Sequence, residues 1–175
     1  TTVSGNSAVR DGGGLFNEIV ASATLLNARI SANSATNGGG INNQDGVVSI
    51  SGGSLIANSV TEDGGAIFTS SSGTTTLVDT TLSGNTAARD GGAVRNDGSL
   101  VVTSVNLAGN SADRDGGAIF NNRTLTVVGS MFSGNTAVGS GGALDLNSVG
   151  MVSLTSTTLR GNTATANGGA ISNNE

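Results

Sequence analysis

The sequence predicts an all-β fold, a single-stranded parallel β-helix of about seven coils, each with 25–27 residues and three short strands. Three observations predict it. An Asn followed by Gly-Gly six residues on and an aliphatic residue nine residues on recurs along the chain, as in Asn110, Gly116, Gly117 and Ile119. Successive copies are 27, 25, 27, 25, 25 and 27 residues apart. Apolar residues alternate with Ser and Thr within each copy. A fixed period of this size is typical of stacked-repeat proteins.

Apolar residues recur at set distances from the repeat Asn, which is taken as position 0. Position −3 holds Val3, Ile30, Leu55, Leu82, Leu107, Phe132 and Leu159, and position −8 holds Leu25, Ile50, Leu77, Val102, Val127 and Leu154. Positions −10 and −8 share one side of a strand because side chains alternate between its two faces. Stacked coils would therefore place Val102 against Val127 in a continuous inner column.

Three strands per repeat follow from this alternation, as in Thr124–Val128, Met131–Ser133 and Ala118–Asn121. Their apolar spacing of two residues does not fit a helix. The two-residue differences in repeat length fall mostly between the third strand and the first strand of the next repeat, where Ser72-Gly73 and Asp97-Gly98 provide turn chemistry. We expect these insertions to be loops on one edge that leave the stacking intact.

Domain organisation follows from the same repeat. Residues 1–175 are expected to form one solenoid segment, which is a fragment of a longer protein or the subunit of a fibre. The pattern begins and ends without an atypical repeat, whereas solenoids need caps on their end surfaces. Open coils would expose unpaired backbone groups that another β-helix could pair with, so self-association or stacking on other copies is an expected interaction.

Composition excludes several classes of function. The chain has no Cys, His, Trp, Tyr, Pro or Lys, and its net charge is −5. Catalysis by Ser-His-Asp, Cys-His or Lys chemistry is therefore absent, and we expect no enzyme activity. Seven scattered Arg residues do not form the basic stripe of a nucleic-acid interface. No apolar run is long enough to span a membrane as a helix.

The repeat Asn is the most regular polar feature. It occupies Asn6, Asn33, Asn58, Asn85, Asn110, Asn135 and Asn162. Stacked Asn side chains can hydrogen-bond to one another and to the backbone, which predicts an internal structural ladder; a row of polar ligand-binding groups is the alternative. A second column at +11 contains Asn17, Asn43, Asn96, Asn121 and Asn173, interrupted by Thr69 and Leu146. The Gly-Gly pair at +6 and +7 predicts a tight corner with positive φ at both positions.

Position +5 is acidic in four repeats, at Asp11, Asp63, Asp90 and Asp115. Like charges in consecutive coils about 5 Å apart repel, so Arg10, Arg89 and Arg114 at +4 or a cation must compensate. We expect solvated carboxylates that close turns, and calcium bound by Asp63, Asp90 and Asp115 is the alternative. No other cofactor is indicated.

Two outward-facing sets of side chains are candidate surfaces. Position +10 carries Phe16, Phe68 and Phe120 in alternate coils, as contact points for a partner chain or as half-covered corner residues. The outer side of the first strand carries the row Thr24, Ser49, Thr76, Val101, Thr126 and Ser153. A flat Thr-rich face can bind ice, although this row is mixed.

The repeat resembles that of the polymorphic outer membrane protein family of bacterial surface proteins, which pairs GGAI with FxxN. The corresponding segments here are Gly64–Ile67, Gly91–Val94, Gly116–Ile119, Gly141–Leu144 and Gly168–Ile171 for the first motif and Phe132–Asn135 for the second. In six other repeats Val, Ile or Leu replaces the Phe. The resemblance implies a right-handed parallel β-helix on the outside of a bacterial cell, in a family whose members often serve in adhesion.

The function expected is therefore that of a non-catalytic structural or adhesive segment of a bacterial extracellular surface protein, with end-to-end stacking into a fibre as its stronger form. A host-surface or glycan ligand is the expected partner, with no nucleic acid and no membrane span. The alternative function is an ice- or glycan-binding module that uses the outward Thr/Ser face.

Overall fold

The structure, a computed structural model, describes residues 1–147 and 150–174. In chain order the strands are β1 (Thr2–Ser4), β2 (Leu15–Asn17), β3 (Ser22–Ser31), β4 (Ser34–Ala35), β5 (Ile41–Asn43), β6 (Val47–Ile56), β7 (Ser59–Val60), β8 (Ile67–Thr69), β9 (Thr74–Val78), β10 (Thr81–Ser83), β11 (Thr86–Ala87), β12 (Val94–Asn96), β13 (Ser99–Thr103), β14 (Asn106–Ala108), β15 (Ser111–Ala112), β16 (Ile119–Asn121), β17 (Thr124–Val128), β18 (Met131–Ser133), β19 (Thr136–Ala137), β20 (Leu144–Leu146), β21 (Val152–Thr155), β22 (Thr158–Arg160), β23 (Thr163–Ala164) and β24 (Ile171–Asn173). No helix occurs in these described ranges.

The strands form three parallel sheets that run along a solenoid of about seven turns, which confirms the predicted fold class. Each strand pairs with its copy in the next coil. Val102 is the register partner of Val127, and Val127 is the partner of Leu154, across intervals of 25 and 27 residues. Because the pairing continues across both intervals, the difference in repeat length leaves the stacking intact, as predicted.

The three predicted strands are present in each regular coil, and the structure adds a fourth. In the coil that contains Asn110, the strand Thr124–Val128 has the predicted bounds, and the third strand begins at Ile119 rather than Ala118. The additional strand is only two residues long, Ser111–Ala112, and directly follows Asn110. A two-residue strand carries almost no alternation, so the pattern of apolar residues could not reveal it.

The chain changes direction within a complete coil at three backbone positions that have positive φ. They lie at −6, −1 and +6; in the coil of Asn110 they are Ser104 (φ 54), Gly109 (φ 62) and Gly116 (φ 66). Residues other than Gly are sterically disfavoured in this conformation because they have a Cβ atom. Position −1 is Gly in five coils and Ala in two, where Ala32 and Ala57 have φ values of 54 and 53. Because the same three corners recur, coils with different sequences have the same cross-section and can stack on one another.

The second Gly of each Gly-Gly pair has a different role from the predicted one. Only the first, at +6, has a positive φ. A methyl group on Gly117 would collide with the carbonyl oxygens of Gly142 and Thr136 in the adjacent coil. The expectation of positive φ at +7 is therefore wrong, and Gly is required there because backbones of neighbouring coils pack directly against each other.

The core is a set of apolar columns inside the three sheets. Val102, Leu107, Ile119, Val127 and Phe132 are completely buried. The corresponding residues of the first and last coils, such as Val3 and Leu159, are only partly buried and pack against this core. Burial of a coil thus depends on coils on both sides, as expected when each repeat contacts only its neighbours.

Candidate functional site

The seven repeat Asn residues form the predicted internal ladder (hereafter the Asn ladder). Asn85 donates two hydrogen bonds to Asn110 Oδ1, from its backbone N and from Nδ2, both at 3.0 Å. Asn110 Nδ2 in turn donates to Asn135 Oδ1 at 2.9 Å and to the carbonyl oxygen of Leu82 at 3.1 Å. Asn33, Asn58, Asn85, Asn110 and Asn135 are fully buried. Each of these five amides therefore donates and accepts within the ladder, whose geometry is that of a structural element.

In the +11 column, a polar residue at a neighbouring core position compensates for the missing Asn. Asn17 Nδ2 donates to Asn43 Oδ1, and Asn96 Nδ2 donates to Asn121 Oδ1. Where Thr69 replaces Asn, the neighbouring core position holds Thr75 in place of an aliphatic residue. The two hydroxyl oxygens are 2.8 Å apart, and Asn43 Nδ2 also donates to Thr75 Oγ1. The polar Thr75, which looks like a defect in the apolar column, satisfies groups left by the missing Asn.

The +5 side chains form a second longitudinal series, the acidic column, which comprises Asp11, Asn37, Asp63, Asp90, Asp115, Ser140 and Asn167. In its central part, a side-chain oxygen accepts a hydrogen bond from the backbone N–H of the same position one coil later. Asp90 N donates to Asp63 Oδ1 at 3.0 Å, and Asp115 N donates to Asp90 Oδ1 at 3.2 Å. Asp63 and Asp90 are buried, with 7% and 4% exposure, so the expectation of solvated carboxylates is wrong for these two.

Arg95 is the principal cation of the acidic column, and the sequence reasoning did not identify it. Its guanidinium contacts Asp90 Oδ2 at 2.9 Å, Asp97 Oδ1 at 2.9 Å and Asp63 Oδ1 at 3.6 Å. The predicted partners are farther away: Arg89 Nε lies 3.9 Å from Asp63, and Arg114 Nε lies 3.8 Å from Asp90. Arg95 comes from position +10, where the other repeats have Phe, Asn, Asp or Ser, so no repeat consensus indicated a cation.

Aromatic and polar residues at +10 form a covered layer outside the main core. The register places Arg95 between Phe68 and Phe120, and the Arg95 guanidinium carbon lies 4.4 Å from the centre of the Phe120 ring, a cation–π contact. Phe120 is 5% exposed, whereas Phe16 in the first coil is 45% exposed. Phe120 is therefore part of the internal packing and not a surface contact point, while Phe16 remains accessible.

Asp145, the next member of the +10 layer after Phe120, is a buried carboxylate with 1% exposure. Its oxygens accept hydrogen bonds from Asn174 Nδ2 at 3.2 and 3.3 Å. Burial raises the pKa of Asp145 above the ordinary value of 3.8, and the negative charges of Asp115 and Asp90 raise it further. Burial also raises the pKa of Asp90, against the opposing effects of the Asp115 backbone N–H and two Arg residues.

A cation site was the alternative for the acidic column. The described residues include no group of three or more His, Cys, Asp or Glu side chains arranged to hold a metal ion. Two of the three candidate carboxylates, Asp63 and Asp90, face Arg95. What the column does in this structure is accept backbone hydrogen bonds and bind a guanidinium.

The outward face of the first strand of each coil carries no charged side chain. Its two aligned rows are Thr24, Ser49, Thr76, Val101, Thr126, Ser153 and Leu26, Ser51, Val78, Thr103, Val128, Thr155. No charged residue occurs in either row. Hydroxyl and aliphatic side chains alternate irregularly along both rows, so the face does not have the uniform Thr spacing that ice binding requires.

A polar cleft of about 220 Å³ lies on the turn edge of three successive coils; we call it the serine cleft. Residues 71–74 form one wall, and Gly98, Ser99, Arg123 and Thr124 complete the lining. The wall exists because the repeat from Asn58 to Asn85 has 27 residues and the next two repeats have 25. The wall is held by Asp45, whose Oδ1 accepts hydrogen bonds from Ser70 Oγ at 2.5 Å and Ser72 N at 3.0 Å.

Arg123 reaches across this cleft. The corresponding turn position of the two preceding coils is Gly73 and Gly98; a methyl group on Gly98 would collide with the carbonyl oxygens of Gly73 and Ser70. Arg123 extends over these two coils, and its NH1 donates to the carbonyl oxygen of Ser71 at 2.7 Å. The sequence reasoning missed this site; the only signal was the Gly, Gly, Arg succession next to an inserted turn.

These features define the class of protein as a repeat β-solenoid with internal polar ladders. The Chlamydia polymorphic membrane protein repeat matches residues 79–97, 104–122, 129–146 and 156–174. These four matched repeats across residues 79–174 confirm the predicted resemblance to this repeat family. Neither the curated proteins nor the solved structures gave a match.

The match to this membrane-protein repeat supports a location at the bacterial cell surface. The part of the chain that the structure describes has no helix with the length and hydropathy needed to cross a membrane.

Proposed function

We propose that this chain is a non-catalytic, adhesive structural segment of a bacterial surface protein. It acts as a stiff spacer and displays a repetitive surface to a host cell or glycan. The observation that carries the proposal is the continuous Asn ladder inside a solenoid built from the repeats of a membrane-protein family.

Stiffness supports the proposal. Seven coils at a strand spacing of about 4.8 Å give a rod roughly 30 Å long. Inter-coil hydrogen bonds run through all three sheets and through the polar columns. Each coil in such a rod is stabilised by its neighbours, which favours a continuous and stiff segment.

The composition of the chain also supports it. Without His, Cys, Lys or Tyr, the chain lacks the side chains that usually act as bases or activated nucleophiles near neutral pH. The buried carboxylates Asp90 and Asp145 are held by internal partners and do not converge on the serine cleft.

Adhesion is tested by coupling the folded chain to fluorescent beads and counting beads retained on epithelial cell monolayers under flow. Retention above that of albumin-coated beads is expected. A control chain in which Asn85 and Asn110 are both replaced by Ala should lose retention together with its β-sheet circular dichroism. Equal retention of chain-coated and albumin-coated beads would refute the adhesive function.

End-to-end stacking is a further part of the proposal. The Asn ladder has a direction, since each Asn donates from N and Nδ2 to the Oδ1 of the Asn in the next coil. A second copy stacked in the same direction would continue that series, whereas a copy in the reverse orientation would not. Electron microscopy of the purified chain at increasing concentration should show filaments about one coil wide; single short rods at every concentration would exclude stacking.

A further inference from the structure

We infer that Asn167 is a modification site that undergoes spontaneous deamidation, and that end-to-end stacking on this coil blocks the reaction. The chain contains two Asn-Gly pairs, Asn37-Gly38 and Asn167-Gly168, and both Asn residues belong to the acidic column. Because Gly has no Cβ, its backbone N is accessible to the side chain of the residue before it, and this attack begins the deamidation of Asn. The two pairs are chemically identical, so any difference in their reactivity comes from the fold.

The reaction needs no reagent except water. The backbone N of Gly168 attacks Cγ of Asn167, and the new N–Cγ bond closes a cyclic imide. The Cγ–Nδ2 bond breaks and releases ammonia, which takes up the proton lost from the Gly168 N. Water then opens the imide at either carbonyl carbon. One product is aspartate; the other is isoaspartate, in which the main chain runs through the side-chain carbonyl and is longer by a methylene group.

The internal pair is protected by hydrogen bonds to both neighbouring coils. Asn37 Nδ2 donates to Asp11 Oδ1 at 3.1 Å, and Asn37 Oδ1 accepts from the backbone N–H of Asp63 at 3.1 Å. The attacking group is also engaged, because the N–H of Gly38 donates to the Asp63 carbonyl oxygen at 3.1 Å and Gly38 is buried. Reaction at Asn37 therefore requires these three hydrogen bonds to open first.

The pair at Asn167 is held from one side only. The N–H of Gly141 donates to the Asn167 carbonyl oxygen at 2.8 Å, and the N–H of Gly142 donates to the Gly168 carbonyl oxygen at 3.1 Å. Asn167 and Gly168 are both exposed. Within the described ranges, neither the Asn167 side chain nor the Gly168 N–H has a hydrogen-bond partner. The reacting groups are thus open to solvent on a corner whose backbone is otherwise fixed.

Stacking and deamidation use the same two groups. This part of the inference rests on the proposed end-to-end stacking, whereas the reactivity of Asn167 does not. In a copy stacked in the same direction, Asp11 would follow Asn167 in the acidic column. Its carbonyl oxygen would accept from the Gly168 N–H and its N–H would donate to Asn167 Oδ1, as Asp63 does with the internal pair. Stacking therefore removes the nucleophile, and the longer isoaspartate main chain displaces the groups that a stacked copy would bind.

Peptide mapping by mass spectrometry tests the site. The folded chain is incubated in dilute, mildly alkaline solution, conversion at each Asn is followed with time, and isoaspartate is detected by enzymatic methylation. Asn167 should react about a hundredfold faster than Asn37, the factor expected when three hydrogen bonds must open at the slower site. In concentrated urea both should react at the same rate, because the fold no longer distinguishes them. Equal rates in the folded chain would overturn the inference.

Two matched variants locate the reaction. Asn167→Ser places at this corner the residue that the preceding coil carries as Ser140, and it should abolish most of the ammonia released by the folded chain. Asn37→Ser makes the same change in the internal pair and should leave the rate at Asn167 unchanged. Undiminished ammonia release by folded Asn167→Ser would overturn the assignment.

Concentrated solutions separate the inference from the proposed stacking. Where electron microscopy shows filaments, the rate at Asn167 should fall towards that at Asn37, and isoaspartate-containing chains should collect in the unassembled fraction. An unchanged rate within filaments would overturn the block by stacking. Fast reaction at Asn167 in a chain that remains as single rods at every concentration would support the modification site and remove the stacking proposal.

Discussion

Two polar columns run the length of this solenoid and satisfy backbone groups of neighbouring coils with different side chains. In the Asn ladder every member is the same neutral amide, which accepts through Oδ1 and donates through Nδ2. In the acidic column the carboxylates only accept, from the backbone N–H of the next coil. Each added carboxylate therefore adds uncompensated charge, and the column needs Arg95 and neutral members such as Asn37 and Ser140. A side chain that both donates and accepts can repeat indefinitely, whereas one that only accepts cannot.

The largest expected effect comes from replacing Asn by Asp, and it is tested by two single variants, one in each column. Asn110→Asp replaces Nδ2 with an oxygen that faces two acceptors, Asn135 Oδ1 and the Leu82 carbonyl. We expect a loss of about 4 kcal/mol in the free energy of unfolding, because a buried charge is left without a partner. Asn37→Asp turns the hydrogen bond to Asp11 into a contact between two carboxylates, but the position is partly exposed and screened by solvent, so the loss should be smaller, about 2 kcal/mol. Urea denaturation at pH 7 measures both, and equal losses would contradict the distinction between the columns.

The second effect tests the cation of the acidic column. Arg95→Met keeps much of the packing against Phe120 but leaves Asp63, Asp90 and Asp97 without their shared guanidinium. We expect a loss of about 3 kcal/mol at pH 7, since removal of one partner strands buried charge. Arg114→Met, whose side chain is 55% exposed, should cost less than about 1 kcal/mol. Similar losses for the two variants would show that the column does not depend on Arg95.

A third effect concerns the corner that precedes each ladder Asn. Ala57→Gly relieves a residue at φ 53 and should stabilise the fold by about 1 kcal/mol. Gly109→Ala places a methyl group at φ 62, where it meets nothing within 4 Å, so the cost of about 1 kcal/mol should be conformational and not steric. Thermal unfolding of the two variants should move the midpoint in opposite directions. A shift in the same direction would mean that position −1 acts through contacts and not through backbone conformation.

The smallest expected effect is a pH dependence at Asp145. Because its pKa is raised in the folded protein, the ionised group destabilises the fold at neutral pH. That penalty is relieved as pH falls through the raised pKa towards the ordinary value of 3.8. Asp145→Asn should therefore raise the melting temperature at pH 7, with a gain that shrinks as the solution is acidified. A gain that is constant between pH 7 and pH 4 would assign the effect to packing instead of charge.

Much of the fold was predictable from residue spacing. Val102 and Val127 are buried register partners, as the period required, and Asn110 bonds to the Asn residues 25 positions before and after it. The solvent exposure of the acidic column was not predictable, because nothing local to Asp63 or Asp90 indicates that they are covered. The role of Phe120 was misjudged for the same reason: its side chain points away from the main core but lies within a second covered layer.

By itself the sequence determined the period, the parallel register, the inner apolar columns and the Asn ladder. In a solenoid the neighbours of a residue are the residues one repeat before and after it, so a one-dimensional pattern specifies these contacts. Only the tertiary structure decided that Arg95 compensates the acidic column and that Arg123 spans two coils to line the serine cleft. Long side chains reach beyond the adjacent repeat, and their contacts depend on how turns of unequal length lie over one another, which the period does not encode.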